Sequence, residues 1–194
     1  MSVRFAAFLA RLVVAISQFA NKHGVYLGRR SSKIHVAIYR WSGGKFGGHV
    51  PGWPTARILL LEHAGARSGV RRTSPLIFYE FGDVVAVAAS KAGQPTHPAW
   101  FHNLLARPET TIQIGSRKRS VRARVATDAE WKALWPKFVA AYPGYEFFQR
   151  NARDRKIPIM ILDPPNESAA PGNPAEELMA RSTCSILSGC RSSR

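Results

Sequence analysis

Cysteine is nearly missing from this chain of 194 residues, and the two present, Cys184 and Cys190, both lie in a Ser-rich tail. No disulfide framework therefore holds the core, and a reducing cytoplasm is the expected compartment. Acidic residues are absent before Glu62, whereas Arg4, Arg11, Lys22, Arg29, Arg30, Lys33, Arg40, Lys45 and Arg57 are all cationic. Uninterrupted apolar runs are also missing. A membrane span needs about 20 apolar residues, and Arg11 sits in the middle of the best candidate. The same arginine argues against a secretory signal. The six histidines show no ligand spacing with carboxylates or thiols, so no metal is expected.

What is present is a strong positive charge, +16 in total, on a chain long enough for one domain with a real core. Such a field attracts nucleic acid, anionic lipid or an anionic ligand alike. Nucleic-acid binding calls for a basic face with aromatic platforms or a groove-reading helix, and neither is found. No specific nucleic-acid partner is expected. Residues 3–20, VRFAAFLARLVVAISQFA, place Arg4, Arg11 and Gln18 on one side of a helix and a broad apolar face opposite. Two readings stay open for residues 1–24. One is an amphipathic helix on the anionic inner face of the membrane; the other is a helix packed on the domain or on a second subunit.

Along the chain, residues 32–41 suit a short helix with Ser31 or Ser32 as N-cap, and the Gly- and Pro-dense residues 42–54 suit an irregular loop. That loop is a connector or the wall of a ligand site, with Trp53 in the wall. Apolar runs at 56–63, 73–80 and 84–89 read as strands joined by turns at Gly65, Gly69 and Gly82. Residues 98–106 read as a helix with proline near its start. Residues 110–114 and 117–126 form a second hairpin, and the alternation in RKRSVRARVA makes one of its faces basic. Thr127 and Glu130 have capping-box spacing for a helix to about residue 141. A short helix over 145–153 and a strand over 157–162 follow, with Pro158 marking an edge or a strand start. From residue 164 the composition turns to Pro, Ser, Ala, Gly and Glu, so 164–194 is expected to be a disordered tail. The sum is a mainly β (α+β) domain over 25–163, a six-stranded antiparallel barrel with peripheral helices.

The stretch from Gly65 to Trp100 carries the chemistry. It sets a Gly- and Arg-rich turn, two strands, a polar turn at Ser90-Lys91-Ala92-Gly93 and the start of a helix in succession. Cationic side chains and free backbone N–H groups on neighbouring loops suit an anionic cofactor with phosphates. A single Gly-Arg turn is more often an ordinary solvated hairpin, and Trp100 on a helix more often a core residue. The order of several such segments is what raises the signal.

The runs GARSG-VRR-TSPL, VAASKAG, HPAWFHNLLARP, LWPKFVAAYPGYEFFQR and IPIMILDP, in this order, resemble the deazaflavin-dependent nitroreductase family. The resemblance implies a split β-barrel oxidoreductase using coenzyme F420, with FMN as the alternative cofactor. It implies that Arg67, Ser68, Arg71 and Arg72 grip the phosphate and anionic tail. Pro75, Leu76, Ile77, Ser90 and Lys91 would frame the deazaflavin ring, and Ala99, Trp100 and Asn103 would line the same groove. Ala92 stands where the family usually has glycine, and Phe148 where it often has tyrosine. Tyr142 and Tyr145 match tyrosines on the substrate side, so they and Ser90 are the catalytic candidates. The implied reaction is hydride transfer to a quinone-like or nitroaromatic acceptor, in a protein that pairs as a homodimer as split barrels commonly do. A non-catalytic barrel that binds lipid is the rival.

Overall fold

A computed structural model describes residues 29–165. The elements are α1 (Arg29–Ser42), β1 (His49–Val50), β2 (Trp53–Ala64), β3 (Arg71–Phe81), β4 (Val84–Ala88), α2 (Ala99–Ala106), β5 (Glu109–Ile114), β6 (Arg117–Val125), α3 (Asp128–Ala141), α4 (Gly144–Asn151) and β7 (Ile159–Asp163). A single 3-10 turn, Lys91–Gly93, separates β4 from α2. The strands lie in the order β1-β2-β3-β4-β7-β6-β5, every pair antiparallel, and β5 returns to pair with β2. That last pairing, Leu60 with Gln113 and Leu61 with Ile112, closes β2 to β7 into a six-stranded barrel. Residues 1–24 and nearly all of 164–194, assigned above to an amphipathic helix and a disordered tail, fall outside the described residues.

Two cores follow from the period of two along each strand. Leu59, Leu61, Phe78, Val85, Val87, Ile112, Val121, Met160 and Leu162 fill the barrel, and Trp100, Phe101 and Leu104 of α2 plug one end. The alternate residues Ile58, Leu60, Ala86, Ala88, Ile159 and Ile161 point outward and are covered by Leu134, Phe138, Tyr145 and Phe148 of α3 and α4. Both faces being buried explains why β2 and β7 read as continuous apolar runs rather than alternating ones.

The capping box at Thr127 is present: Glu130 donates its N–H to Thr127 Oγ1 (3.3 Å), and Thr127 N–H donates to Glu130 Oε2 (2.7 Å). Arg124 forks onto the same carboxylate with two bonds of 2.9 Å and reaches Asp163 at 2.7 Å. This carboxylate is the hinge between β6 and α3. Burial pushes the Glu130 carboxyl up, and the Arg124 fork and the Thr127 N–H outweigh it, so its pKa ends below the ordinary value.

Several boundaries differ from expectation. Ser31 and Ser32 lie inside the helix rather than at its N-cap, because it already includes Arg29 and Arg30. The 42–54 loop contains β1, and β2 starts at Trp53, since the tight Gly52 turn (φ +81°) folds the chain back on itself. The fourth helix ends at Asn151, with Arg153 left-handed (φ +55°) soon after. The last strand starts two residues late because side chains take the backbone groups of Ile157: Gln149 Oε1 accepts its N–H, and Trp131 Nε1–H donates to its carbonyl. Pro158 then precedes a strand that is central, not an edge.

The basic face of β6 is not a free cationic surface. Lys118 pairs with Glu62, Arg122 with Glu109, Arg119 with Glu80, and Arg124 with Glu130 and Asp163. The sequence shows the cations but not the acids that tertiary pairing brings to them.

Candidate functional site

Antiparallel pairing puts the β2–β3 turn and the segment leaving β4 at the same end of the barrel, where α2 enters it. The β2–β3 turn is closed by Gly65 N–H to Val70 O (3.0 Å) and Gly69 N–H to Gly65 O (2.8 Å). Gly69 is left-handed (φ +66°), which strains any other residue there, and a Cβ at Gly65 would begin 2.4 Å from Ser68 Oγ, so the Ser68 side chain would have to move. Arg67, Ser68 and Arg71 are exposed and Arg72 is half-buried. Arg107, at the end of α2, brings Nη1 within 3.9 Å of where a Gly69 side chain would start. Among the described residues, none of Arg67, Arg71, Arg72 and Arg107 has an acidic partner. That sets this turn apart from the paired cations of β6.

A buried polar chain holds the turn. Ala66 N–H donates to Asn103 Oδ1 (2.9 Å), Asn103 Nδ2 donates to His63 Nδ1 (2.9 Å), and His63 Nε2 meets Ser74 Oγ at 3.0 Å. Because Ala66 can only donate, the amide orientation is forced, and His63 must be neutral with its proton on Nε2. Burial, then the charge of Arg72, lowers the His63 pKa to about 4. Asn103 and Trp100, expected to line the groove, are instead turned inward, each 6% exposed. Trp100 fills the barrel end, and Asn103 acts on the turn through Ala66; of the three α2 positions only Ala99 is exposed.

β3 supplies the floor between the two loops. It pairs with β2 over residues 71–77 but with β4 only over 78–81, so its first half has one open edge. Pro75 lies there, where a residue without an N–H breaks no ladder on the open side. Pro75, Leu76 and Ile77 are all half-buried, with Leu76 packed against the barrel interior and Ile77 against the outer core.

The second turn is backbone chemistry. Ser90 is right-handed (φ −71°, ψ −40°), and Lys91, Ala92 and Gly93 follow at φ +49°, +52° and +78°. Two non-glycine residues in the left-handed region cost about 1–2 kcal/mol each. Ala92 thus has the conformation for which the family's glycine is suited. Gly93 has no such freedom to change, since its Cβ would sit 2.7 Å from Phe148 O. Lys91 Nζ bonds Thr96 Oγ1 at 2.7 Å, tying the turn to the entry of α2.

Arg155 carries no signal in the sequence, yet it is the most heavily bonded side chain at this turn. Its guanidinium donates to Ala89 O (3.1 Å), Ser90 O (2.9 Å) and Gln94 O (2.7 and 3.1 Å), and its Nη1 lies 3.2 Å from His97 Nδ1. His63 figures in the sequence only as one of six histidines without metal-ligand spacing. No local pattern marks either, because their partners lie 58–66 and 11–40 residues away.

Tyr142 is the C-cap of α3 and Tyr145 lies in the first turn of α4, edge to face with ring centroids 5.9 Å apart. Burial raises both hydroxyl pKa values, more strongly for Tyr145, which is 2% exposed. Tyr142 is the outer of the two, and Trp53 stands edge-on to it at 5.7 Å. Trp53 also lines an open hollow of about 400 Å³ with Lys45, Phe46, His49, Val50 and Pro51. Phe148 links this region to the second turn, packing on Tyr142 and lying against Gly93.

A closed antiparallel barrel with an arginine turn, an open strand edge and a left-handed turn at one end defines a split-barrel protein. The sequence profile of the F420H(2)-dependent quinone reductases matches residues 31–164. An F420H(2)-dependent quinone reductase of Mycobacterium tuberculosis is 33% identical over 150 residues, covering 76% of this chain and 97% of its own. The solved structure of an F420-H2 dependent reductase is similar at 36% identity and a TM-score of 0.51, over 55% of this chain and 93% of that one. Another, a domain-swapped dimer, is 34% identical with a TM-score of 0.53, over 68% of this chain and 95% of that one. The chain belongs to the F420H(2)-dependent quinone reductase family.

Proposed function

We propose that this protein reduces quinone-type acceptors with reduced coenzyme F420, held across the barrel end between the arginine turn and the left-handed turn. The observation that carries this reading is the cluster of Arg67, Arg71, Arg72 and Arg107 without acidic partners, facing no other anion among the described residues. Arg67, Ser68, Arg71 and Arg72 hold the phosphate and carboxylates; guanidinium forks suit both groups. Pro75, Leu76, Ile77, Ser90 and Lys91 receive the ring along the open edge of β3. Ala99 borders the ring on the α2 side, while Trp100 and Asn103 position that side from within. When bound, the reduced deazaflavin supplies two electrons as hydride.

The protein's own part is orientation, exclusion of water and a proton. Tyr142 is the residue to stabilise the acceptor oxygen: it packs against Trp53, which lines the hollow, and its raised pKa keeps the hydroxyl a neutral donor. Tyr145 supports its ring from below. Ser90 offers its hydroxyl beside the turn. FMN would present a phosphate to the same arginines, so the cofactor test is comparative. Titration with F420, followed by fluorescence quenching, is expected to give micromolar or tighter binding, with none for FMN. Preference for FMN would overturn the reading.

Two further features belong to the same proposal. Ile34, Ile38, Trp41 and Phe46 are exposed, with Trp41 stacked on Phe46, and no helix among the described residues is long and apolar enough to cross a membrane. An aromatic surface beside Lys33 and Lys45 favours peripheral contact with an anionic bilayer; co-sedimentation with anionic but not neutral vesicles tests it. The protein is also proposed to form a homodimer, which light scattering reads directly.

A further inference from the structure

We infer that Arg155 is a positioning residue for the cofactor: it sets the direction of the peptide groups at Ser90 and Lys91. This rests on the F420 reading above.

The guanidinium stands on one side of the segment leaving β4 and draws in three carbonyls from both ends of the turn, those of Ala89, Ser90 and Gln94. Trans peptide units are planar, so the N–H of each unit points opposite to its C=O. With the carbonyls of Ala89 and Ser90 aimed at Arg155, the N–H groups of Ser90 and Lys91 are aimed away from it. The turn's own bonds do not use them: Gly93 N–H donates to Ser90 O (3.0 Å) and Gln94 N–H to Lys91 O (3.1 Å). A right-handed residue followed by a left-handed one makes successive N–H groups converge into a concavity for negative charge. Ser90 and Lys91 have that pair of conformations. The structure therefore supplies two oriented N–H donors for an electron-rich oxygen or nitrogen of the ring, and Arg155 is what keeps them oriented.

The bonds come from three separate nitrogens, Nε, Nη1 and Nη2, whereas a lysine at 155 would gather its N–H groups on a single atom and match this spread of carbonyls poorly. The residue is reached from α4 through a left-handed Arg153 and leads into β7, so its own backbone is tied at both ends.

The test uses the full chain with Arg155→Lys and Arg155→Ala, and two readouts. First, amide hydrogen exchange of the protein without cofactor should speed up at Gly93 and Gln94, while β2, β5 and β6 keep wild-type protection. Second, the F420 dissociation constant should rise at least tenfold in both variants, and ethylguanidinium should restore a large part of the loss in Arg155→Ala. Ordinary exchange at Gly93 and Gln94, or unchanged F420 affinity in the variants, overturns the proposal. Loss of affinity without rescue in a folded Arg155→Ala protein also overturns it, as does failure of both variants to fold, which would make Arg155 a support of the barrel. If the wild-type protein binds no F420, the cofactor reading itself fails; the exchange result then stands apart from it.

Discussion

Lowering the pH below 6.5 should cost stability through His63, the buried imidazole that holds the arginine turn. The folded pKa of about 4 lies below the ordinary 6.5 because burial and Arg72 disfavour the charged ring. The unfolded chain therefore binds the proton first, and stability falls as pH drops from 6.5 towards 4. Each pKa unit corresponds to about 1.4 kcal/mol, so the full loss is on the order of 3 kcal/mol and the loss at pH 5 about 2 kcal/mol. Above pH 6.5 the contribution is constant. The structural event is specific: a proton on Nδ1 would face Asn103 Nδ2, and flipping the amide would face Nδ2 to the Ala66 N–H. Either way one buried donor is stranded, which costs about 1–3 kcal/mol. Urea unfolding between pH 7.5 and 4.5, in wild type and His63→Gln, measures this. The wild-type curve should drop more steeply than the variant's, the difference appearing below pH 6.5. His97 also has a lowered pKa, through burial and then Arg155 and His102, and its contribution remains in both proteins. Parallel curves, or a His63 ring titrating near 6.5 by NMR, would refute the reasoning.

Other outcomes can be checked as directly. Ala92→Gly should stabilise the protein by about 0.5–1 kcal/mol in urea unfolding, because relief of a left-handed alanine exceeds the added backbone entropy of glycine; F420 affinity should be unchanged or tighter. Tyr142→Phe should lower kcat for a menaquinone analogue by about 10²-fold or more with F420 binding intact, and equal turnover would remove Tyr142 from the acceptor side. Arg67→Met with Arg71→Met should weaken F420 binding at least tenfold and flatten its salt dependence, measured by titration at two ionic strengths. Thr127→Ala should cost about 1 kcal/mol of stability through the lost cap, read from the thermal midpoint.

Elements and caps were legible in the sequence because they depend on neighbours a few residues apart. Thr127 and Glu130 announce their box at a spacing of three, Gly82 and Gly115 their hairpins, and the apolar runs of β2, β4 and β7 their burial. The arginine turn was visible for the same reason. What the tertiary structure alone decided depends on closure. Pairing of Leu61 with Ile112 closes the barrel and lets α2 plug it, and that turns Trp100 and Asn103 inward. The same closure brings Glu62 and Glu80 to the cations of β6, and strand pairing adds Glu109 and Asp163, whereas the arginines of the Arg67 turn have no acidic partner among the described residues. Arg155 reaches the carbonyls of Ala89 and Ser90 only because β7 lies beside β4. Local periodicity carries no information about such partners; hydrogen-bond direction and burial, set by the strand order, determine them.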